Sequence, residues 1–192
     1  MRAAAWCASI RWFGLGGLLT LLAACASPPS LVGHQADAFS RTGRFAVTAT
    51  EPGAPSQAVQ GGFAWLDEGG RLTLDLANPL GSILARVQVT PGRAVLTRSN
   101  GQVEQAANAD ALVEQVVGVP VPVSYLRYWM RGQVSDSARV QRRDAQGHAL
   151  QFEQQGWTVE LSRFDDQGPG LLQMQRNEGA RTLKVRLIVN TR

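Results

Sequence analysis

Residues 71–89 read RLTLDLANPLGSILARVQV, and their patterning decides the fold. Leu72, Leu74 and Leu76 alternate with Arg71, Thr73 and Asp75, which gives a strand one apolar face and one wet face. Ile83, Ala85, Val87 and Val89 repeat the alternation on the way back. Between the two runs Asn78-Pro79 interrupts the ladder, and Gly81 opens backbone angles closed to other residues, so Leu80 falls at the tip of a turn. Two readings of Leu80 stay open here: it points at water, or it folds back onto the core as a plug.

The alternation continues outward in both directions. Upstream, Gly43 to Thr50 sets Phe45, Val47 and Ala49 against Arg44, Ala46 and Thr48. Gln57 to Leu66 places Val59, Gly61, Phe63 and Trp65 on one face, with Gly61-Gly62 marking a bulge or bend. Downstream, short strands are expected at about 93–98 and 102–106 around a Ser99-Asn100-Gly101 hairpin signal. The meander then stops. Asn108 is a good N-cap, and Leu112, Val113, Val116 and Val117 fall at helical spacing before Gly118. The run Val119-Pro120-Val121-Pro122-Val123 suits neither a helix nor a central strand and reads as an extended hinge. Ser124 is placed to cap a second short helix, Tyr125 to Met130, whose Leu126, Trp129 and Met130 form an apolar face ahead of Gly132. Two short helices on a proline hinge, at about 108–132, read as a lid over a sheet. Strands resume at about 138–142, 148–154, 157–163, 171–176 and 181–189, with Gly168-Pro169-Gly170 in a loop. The count is eleven strands, nearly all linked as hairpins. The prediction is a mainly β chain with a strongly curved antiparallel sheet, which either closes into a barrel or stays open and needs a cover.

The chain opens MRAAAWCASIRWFGLGGLLTLLAACASPPS. Arg2 and Arg11 flank an apolar run too short and glycine-interrupted for a membrane span, so residues 1–24 read as a signal peptide. Leu22-Ala23-Ala24-Cys25 resembles the lipobox of bacterial lipoproteins, which implies that Cys25 is acylated; an ordinary secretory peptide with a coincidental cysteine is the alternative. The other cysteine, Cys7, lies in the segment to be removed, so Cys25 is left without a disulfide partner. In enteric-type lipoproteins, which this start resembles, Asp after the cysteine signals inner-membrane retention; Ala26 stands there instead, and the resemblance implies the outer membrane, on its periplasmic face. Residues 25–41 carry two prolines and no sustained periodicity and read as a lipidated tether, leaving 42–192 as one domain with a substantial core. Without residues 1–24 the formal charge falls from +4 to +2, because Arg2 and Arg11 leave. The scattered arginines do not form a nucleic-acid footprint.

Catalytic chemistry finds little support. His34 lies in the tether and His148 beside a turn, and both read as solvated. Asp67-Glu68 and Asp165-Asp166 fall in turns, where charge is cheap to solvate, and they read as solvent-facing rather than as a hydrolytic pair. No glycine-rich phosphate loop, GxSxG elbow or HExxH occurs, so the reading is of a protein that is not an enzyme and takes no cofactor or metal. Trp65, Trp129 and Trp157, with Phe63, Phe152, Met130 and Met174, supply the large apolar inventory of the inner face and lid. Core packing is the default role for them, an enclosed apolar pocket the alternative.

Several of these residues together resemble the LolB family of outer-membrane lipoprotein receptors, from about Gly43 to the C-terminus. The matching marks are Gly43-Arg44-Phe45-Ala46-Val47, Phe63-Ala64-Trp65, Leu74, and Asn78-Pro79-Leu80-Gly81-Ser82. To these are added Gly118-Val119-Pro120-Val121-Pro122 leading to Leu126, Trp129 and Gly132. Asn-Pro-Leu-Gly-Ser is the most specific. The resemblance implies an open antiparallel half-barrel of about eleven strands with a short helical lid. It also implies a receptor that takes lipoproteins from a LolA-like periplasmic carrier and inserts them into the inner leaflet of the outer membrane. Leu80 matches the exposed leucine that acts at the membrane phospholipid. Phe63, Trp65, Leu72, Leu74, Leu76, Leu126, Trp129, Met130, Trp157 and Met174 become candidates for the cavity that holds the acyl chains of the cargo. An envelope lipoprotein of similar fold, sensing or scaffolding without moving cargo, is the alternative.

Overall fold

A computed structural model describes residues 38–117 and 121–190. Its elements run β1 (Phe39–Thr50), β2 (Gln57–Glu68), β3 (Arg71–Ala77), β4 (Ile83–Thr90), β5 (Arg93–Arg98) and β6 (Val103–Ala106). The helices α1 (Ala109–Val117) and α2 (Val123–Trp129) follow. The chain then returns through β7 (Arg139–Arg143), β8 (Ala149–Gln154), β9 (Trp157–Asp165), β10 (Gly168–Glu178) and β11 (Arg181–Val189). All eleven strands form one antiparallel sheet in the order β6-β5-β4-β3-β2-β1-β11-β10-β9-β8-β7. Every neighbour is a hairpin partner except β1 and β11, which pair from Gly43 with Val189 to Thr50 with Thr182 and join the two halves of the chain.

The edge strands β6 and β7 are not bonded to each other, so the sheet is an open half-barrel. The helical segment links those two edges. Its length and apolar content suit it to cover the concave face that closure would otherwise have sealed. Helix α2 contributes Val123, Leu126 and Trp129 to the main core, alongside Trp65, Leu72, Phe152, Trp157, Leu172 and Leu183. Helix α1 spans two clusters: Ala109 joins the main one, while Leu112 packs on Ala85, Val87, Ala94 and Leu96.

Because neighbouring strands are antiparallel, the turns at 51–56, 78–82, 99–102, 155–156 and 179–180 share one end of the half-barrel. The start of β1, the end of β2 and the β9–β10 turn lie at the other. We call these the loop end and the clasp end.

Four expectations are corrected. Strand β1 begins at Phe39 rather than Gly43, since Phe39 pairs with Asp67 and Arg41 with Trp65; residues 39–41 therefore belong to the ladder and not to the tether. Strand β10 begins at Gly168 and includes Pro169, which was read as loop. The proline is tolerated because β10 gains its partner in β11 only from Leu171 onward, so at Pro169 it has a neighbour, Phe164, on one side alone. Pro122, not Ser124, holds the N-cap position of α2, with no side-chain cap. Ser124 instead donates its backbone N–H to Asp110 Oδ1 at 2.8 Å and its hydroxyl to Asp110 Oδ2 at 2.5 Å, tying α2 to α1. Lastly, Ile83 does not continue the inner row of β4. The register shifts between Leu76 and Ala77, so that Leu76 faces Ala85 while Ala77 faces Ile83, leaving Leu84 as the extra residue. By contrast, Asn108 caps α1 as expected, its Oδ1 accepting the Ala111 N–H at 2.8 Å.

Candidate functional site

The ten candidate residues come together on the concave side. Phe63, Trp65, Leu72, Leu126, Trp129, Met130, Trp157 and Met174 are buried in one cluster, and Leu74 and Leu76 pack against it half-buried. Parity explains the sheet members: Trp65 faces Leu74, Phe63 faces Leu76 and Met174 faces Val159 across their ladders. The three α2-side members arrive because Leu126, Trp129 and Met130 lie three and four residues apart. Trp129 stacks edge-on against Phe152 at 5.6 Å and donates its indole N–H to Gln154 at 2.9 Å. In the described structure this interior is a packed core. Where it loosens, it does so toward the loop end: Phe45, Val47 and Ala49 on β1 and Leu74 and Leu76 on β3 are only half-buried. A groove of about 380 Å³ follows the seam between helices and sheet, lined among others by Leu72, Val89, Ala109, Val123, Arg127 and Tyr128.

Leu80 is 92% exposed, which settles the choice between tip and plug. Its loop is built to hold it there. Gly81 N–H donates to Asn78 O at 2.9 Å, closing a turn with Pro79 and Leu80 at its centre, and Gly81 takes φ +90°, a backbone conformation that disfavours side chains. Asn78 then braces the turn from inside, its Oδ1 accepting the N–H groups of Leu80 at 2.9 Å and Ser82 at 3.0 Å. The bulge that removed Ile83 from the inner row leaves Ile83 and Leu84 each 49% exposed beside the loop.

Charged residues hold the opposite end. Asp67, only 3% exposed, accepts Arg127 Nε at 3.1 Å and Arg131 Nη1 at 2.9 Å, and also accepts Arg127 Nη2. Arg127 reaches Gly69 O as well, at 2.8 Å, and the Arg131 guanidinium sits 4.1 Å over the Phe39 ring. Burial alone pushes the Asp67 carboxyl up, but the hydrogen bonds from Arg127 and Arg131 outweigh it and hold the group below the ordinary carboxylate range. Beside this clasp, buried Arg41 reaches both Asp165 oxygens at 2.7 and 2.9 Å and Pro169 O at 3.1 Å. Asp67 and Asp165 were read as solvated turn residues; they are instead the anchors of the cover and of the sheet beneath it. The signal was available, because Asp67 shares the parity of Phe63 and Trp65 on β2. His148 stacks on Phe164 at 4.4 Å and pairs with Asp144. Cys25, residues 1–37 and Pro120 lie outside the described residues.

The chain is similar to several known proteins. The profile of the family described as "Outer membrane lipoprotein LolB" matches residues 37–191. The Outer-membrane lipoprotein LolB of Bordetella petrii is 55% identical over 94% of this chain and 92% of its own length. That of Bordetella pertussis is 52% identical over 94% of each, and that of Cupriavidus necator 37% identical over 94% of each. The crystal structure of a LolA superfamily protein from Nitrosomonas europaea superposes with a TM-score of 0.41 and 9% identity over 79% of this chain and 84% of that one. With its profile match spanning the whole half-barrel, this chain belongs to the LolB family of outer-membrane lipoproteins.

Proposed function

We propose that this protein receives acylated lipoproteins from a LolA-like periplasmic carrier and passes them to outer-membrane phospholipid, being itself held there by acylation of Cys25. The observation that carries this reading is the pairing of an open, apolar concave face under a helical cover with a leucine braced into water at the tip of a rigid loop. A lipoprotein's acyl chains cannot cross the aqueous space bare: at about 0.8 kcal/mol for each CH₂ exposed, several long chains cost tens of kcal/mol. The ten residues of the concave face offer them an apolar surface once the cover moves. Among the described residues there is no recognisable machinery for an energy-consuming step, so transfer from the carrier runs downhill, and each tenfold bias needs about 1.4 kcal/mol of tighter binding.

The direct test uses purified protein lacking the anchor, incubated with carrier-bound lipoprotein and analysed by native mass spectrometry. Cargo moving onto the protein supports the reading. A carrier that keeps its cargo here, yet releases it to an established family member in the same assay, sinks it.

A further inference from the structure

Three buried nitrogen donors have no hydrogen-bond partner among the described residues: Nε of Arg41 and the indole Nε1 of Trp65 and of Trp157. Buried donors are nearly always satisfied, and one left alone costs stability, so each asks for a reason. Two of the three stand together. Arg41 on β1 and Trp65 on β2, 5% and 4% exposed, are directly opposed across the ladder, which puts their side chains on one face with Cβ atoms about 4.5–5.5 Å apart. Trp157 stands apart on β9, near the loop end. Its cross-strand partner Gln154 already accepts from Trp129 and donates to Ser135 and Ser137.

The remaining bonds of Arg41 say what kind of acceptor fits. Its Nη1 reaches both Asp165 oxygens at 2.7 and 2.9 Å, and its Nη2 reaches Pro169 O at 3.1 Å. Asp165 neutralises the guanidinium, so Nε–H offers a hydrogen bond without net charge, and an anion placed there would also meet the Asp165 carboxylate. A neutral oxygen suits both donors. Phe63, two residues from Trp65 on the same face, and Leu74, opposite Trp65, make the surroundings apolar, which suits an oxygen attached to hydrocarbon.

Acyl chains carry no acceptor along their length, but the ester carbonyls that join them to glycerol do. We propose that Trp65 Nε1–H and Arg41 Nε–H form an acceptor site for an ester carbonyl of the cargo's acylated cysteine, reached when the cover moves. The inference rests on the proposed receptor role and names the group by which the concave face recognises its cargo. The lipid–peptide junction then lies at the clasp end, and the chains run along β1 past Phe45, Val47 and Ala49, toward the end where the interior loosens. A ligand without the carbonyl leaves both donors unpaired in a dry site, so the site discriminates between an acylated head and hydrocarbon alone.

The test compares two synthetic cysteinyl peptides on purified protein lacking the anchor: one bears two ten-carbon chains through glycerol esters, the other the same chains through ethers, which lack the carbonyls. The parent should bind the ester peptide at least tenfold more tightly. Trp65→Phe should remove that preference by weakening the ester peptide alone, and so should benzothienylalanine at position 65, which keeps the shape of the indole and lacks its N–H. In nitrogen-15 spectra of the parent, the Trp65 indole proton should move to lower field with the ester peptide and not with the ether peptide, while the Trp157 indole proton responds equally to both. Equal affinity of the parent for the two peptides, a preference that persists in both variants, or an ester-specific shift at Trp157 instead of Trp65 overturns the inference. No carrier enters these measurements, so they are read apart from the receptor role: a parent that prefers the ester peptide yet takes no cargo from the carrier keeps the site and loses the role.

Discussion

Leu80→Glu separates folding from delivery more sharply than any other single change. The leucine is 92% exposed, and the loop is held by the backbone and by Asn78 rather than by the Leu80 side chain, so little folding energy is at stake. Substitutions of this kind stay within about 0.5 kcal/mol, or roughly 1–2 °C in a domain of this size. A buried leucine would cost about 2–5 kcal/mol, and a buried glutamate more, moving the melting temperature by about 8 °C or more. At the membrane the arithmetic reverses. Nearly the whole side chain is available for burial in the interface, worth about 1.5–3 kcal/mol, which is a bias of roughly tenfold to a hundredfold on docking. On the proposed function the acyl anchor supplies retention, and the leucine would have only to orient the concave face toward lipid.

The assay has three readouts on one preparation: thermal unfolding, acceptance of lipoprotein from the carrier, and incorporation of that lipoprotein into liposomes. The variant should unfold within about 2 °C of the parent and accept cargo normally, while incorporation drops tenfold or more. A large loss of stability refutes the exposed-tip reasoning. Unchanged incorporation refutes the membrane role of the loop.

Cys25→Ala should abolish labelling by radioactive palmitate; persistent label means the anchor is elsewhere. Asp67→Asn should lower stability by about 2 kcal/mol, allowing for the partial exposure of Arg127 and Arg131, with a matching fall in the denaturant midpoint. Because the Asp67 carboxyl is depressed in the folded protein, its contribution is complete above the ordinary carboxylate pKa of about 3.9 and is lost as pH falls through the lower native value. Melting temperatures measured from pH 7 down to 2 should therefore fall less steeply below pH 4 in the variant than in the parent, and identical slopes contradict the clasp. Gly168→Ala should cost about 2 kcal/mol or more, because Gly168 takes φ +141° and an added Cβ would stand 2.4 Å from Met130 O; unfolding at the parental midpoint disproves that contact.

Alternation and turn chemistry were enough to find all eleven strands, because almost every connection is a short hairpin flagged by glycine, proline or asparagine. The errors fall where a distant partner overrides a local rule. Solvation logic placed Asp67 in a wet turn, but Arg127 and Arg131 arrive from sixty residues downstream, a coincidence no local window contains. Arg41 was lost in the same way, because strand β1 was begun at Gly43; two residues further back, its parity puts it inside with Phe45 and Val47. Ile83 was assigned to the core because period two was assumed to persist, and a bulge leaves no compositional mark. The ten concave-face residues were legible because size and apolarity agree with strand parity at the seven on the sheet and with helical spacing at Leu126, Trp129 and Met130. What parity cannot report is whether they enclose space or fill it.

On the proposed function, that last point bears on which cargo the concave face would accept. Trp129 and Met130 lie fully buried among the residues proposed to meet acyl chains, and an interior packed at native density has no slack for a guest. A chain that enters has to displace α2, exposing Val123, Leu126, Trp129 and Met130 at about 1.5–3 kcal/mol each, roughly 6–12 kcal/mol together. One chain of ten carbons recovers about 8 kcal/mol at best and roughly breaks even. Two or three long chains recover several times that amount and hold the cover open decisively. With Trp65 and Trp157 replaced by Phe so that Trp129 is the emitter of the folded domain, single short fatty acids should therefore leave its emission unchanged up to their solubility limit, whereas a triacylated lipoprotein presented by the carrier should shift it as the indole leaves the core. A ten-carbon fatty acid that opens the cover as readily as triacylated cargo would show that α2 is held far more loosely than its buried side chains imply.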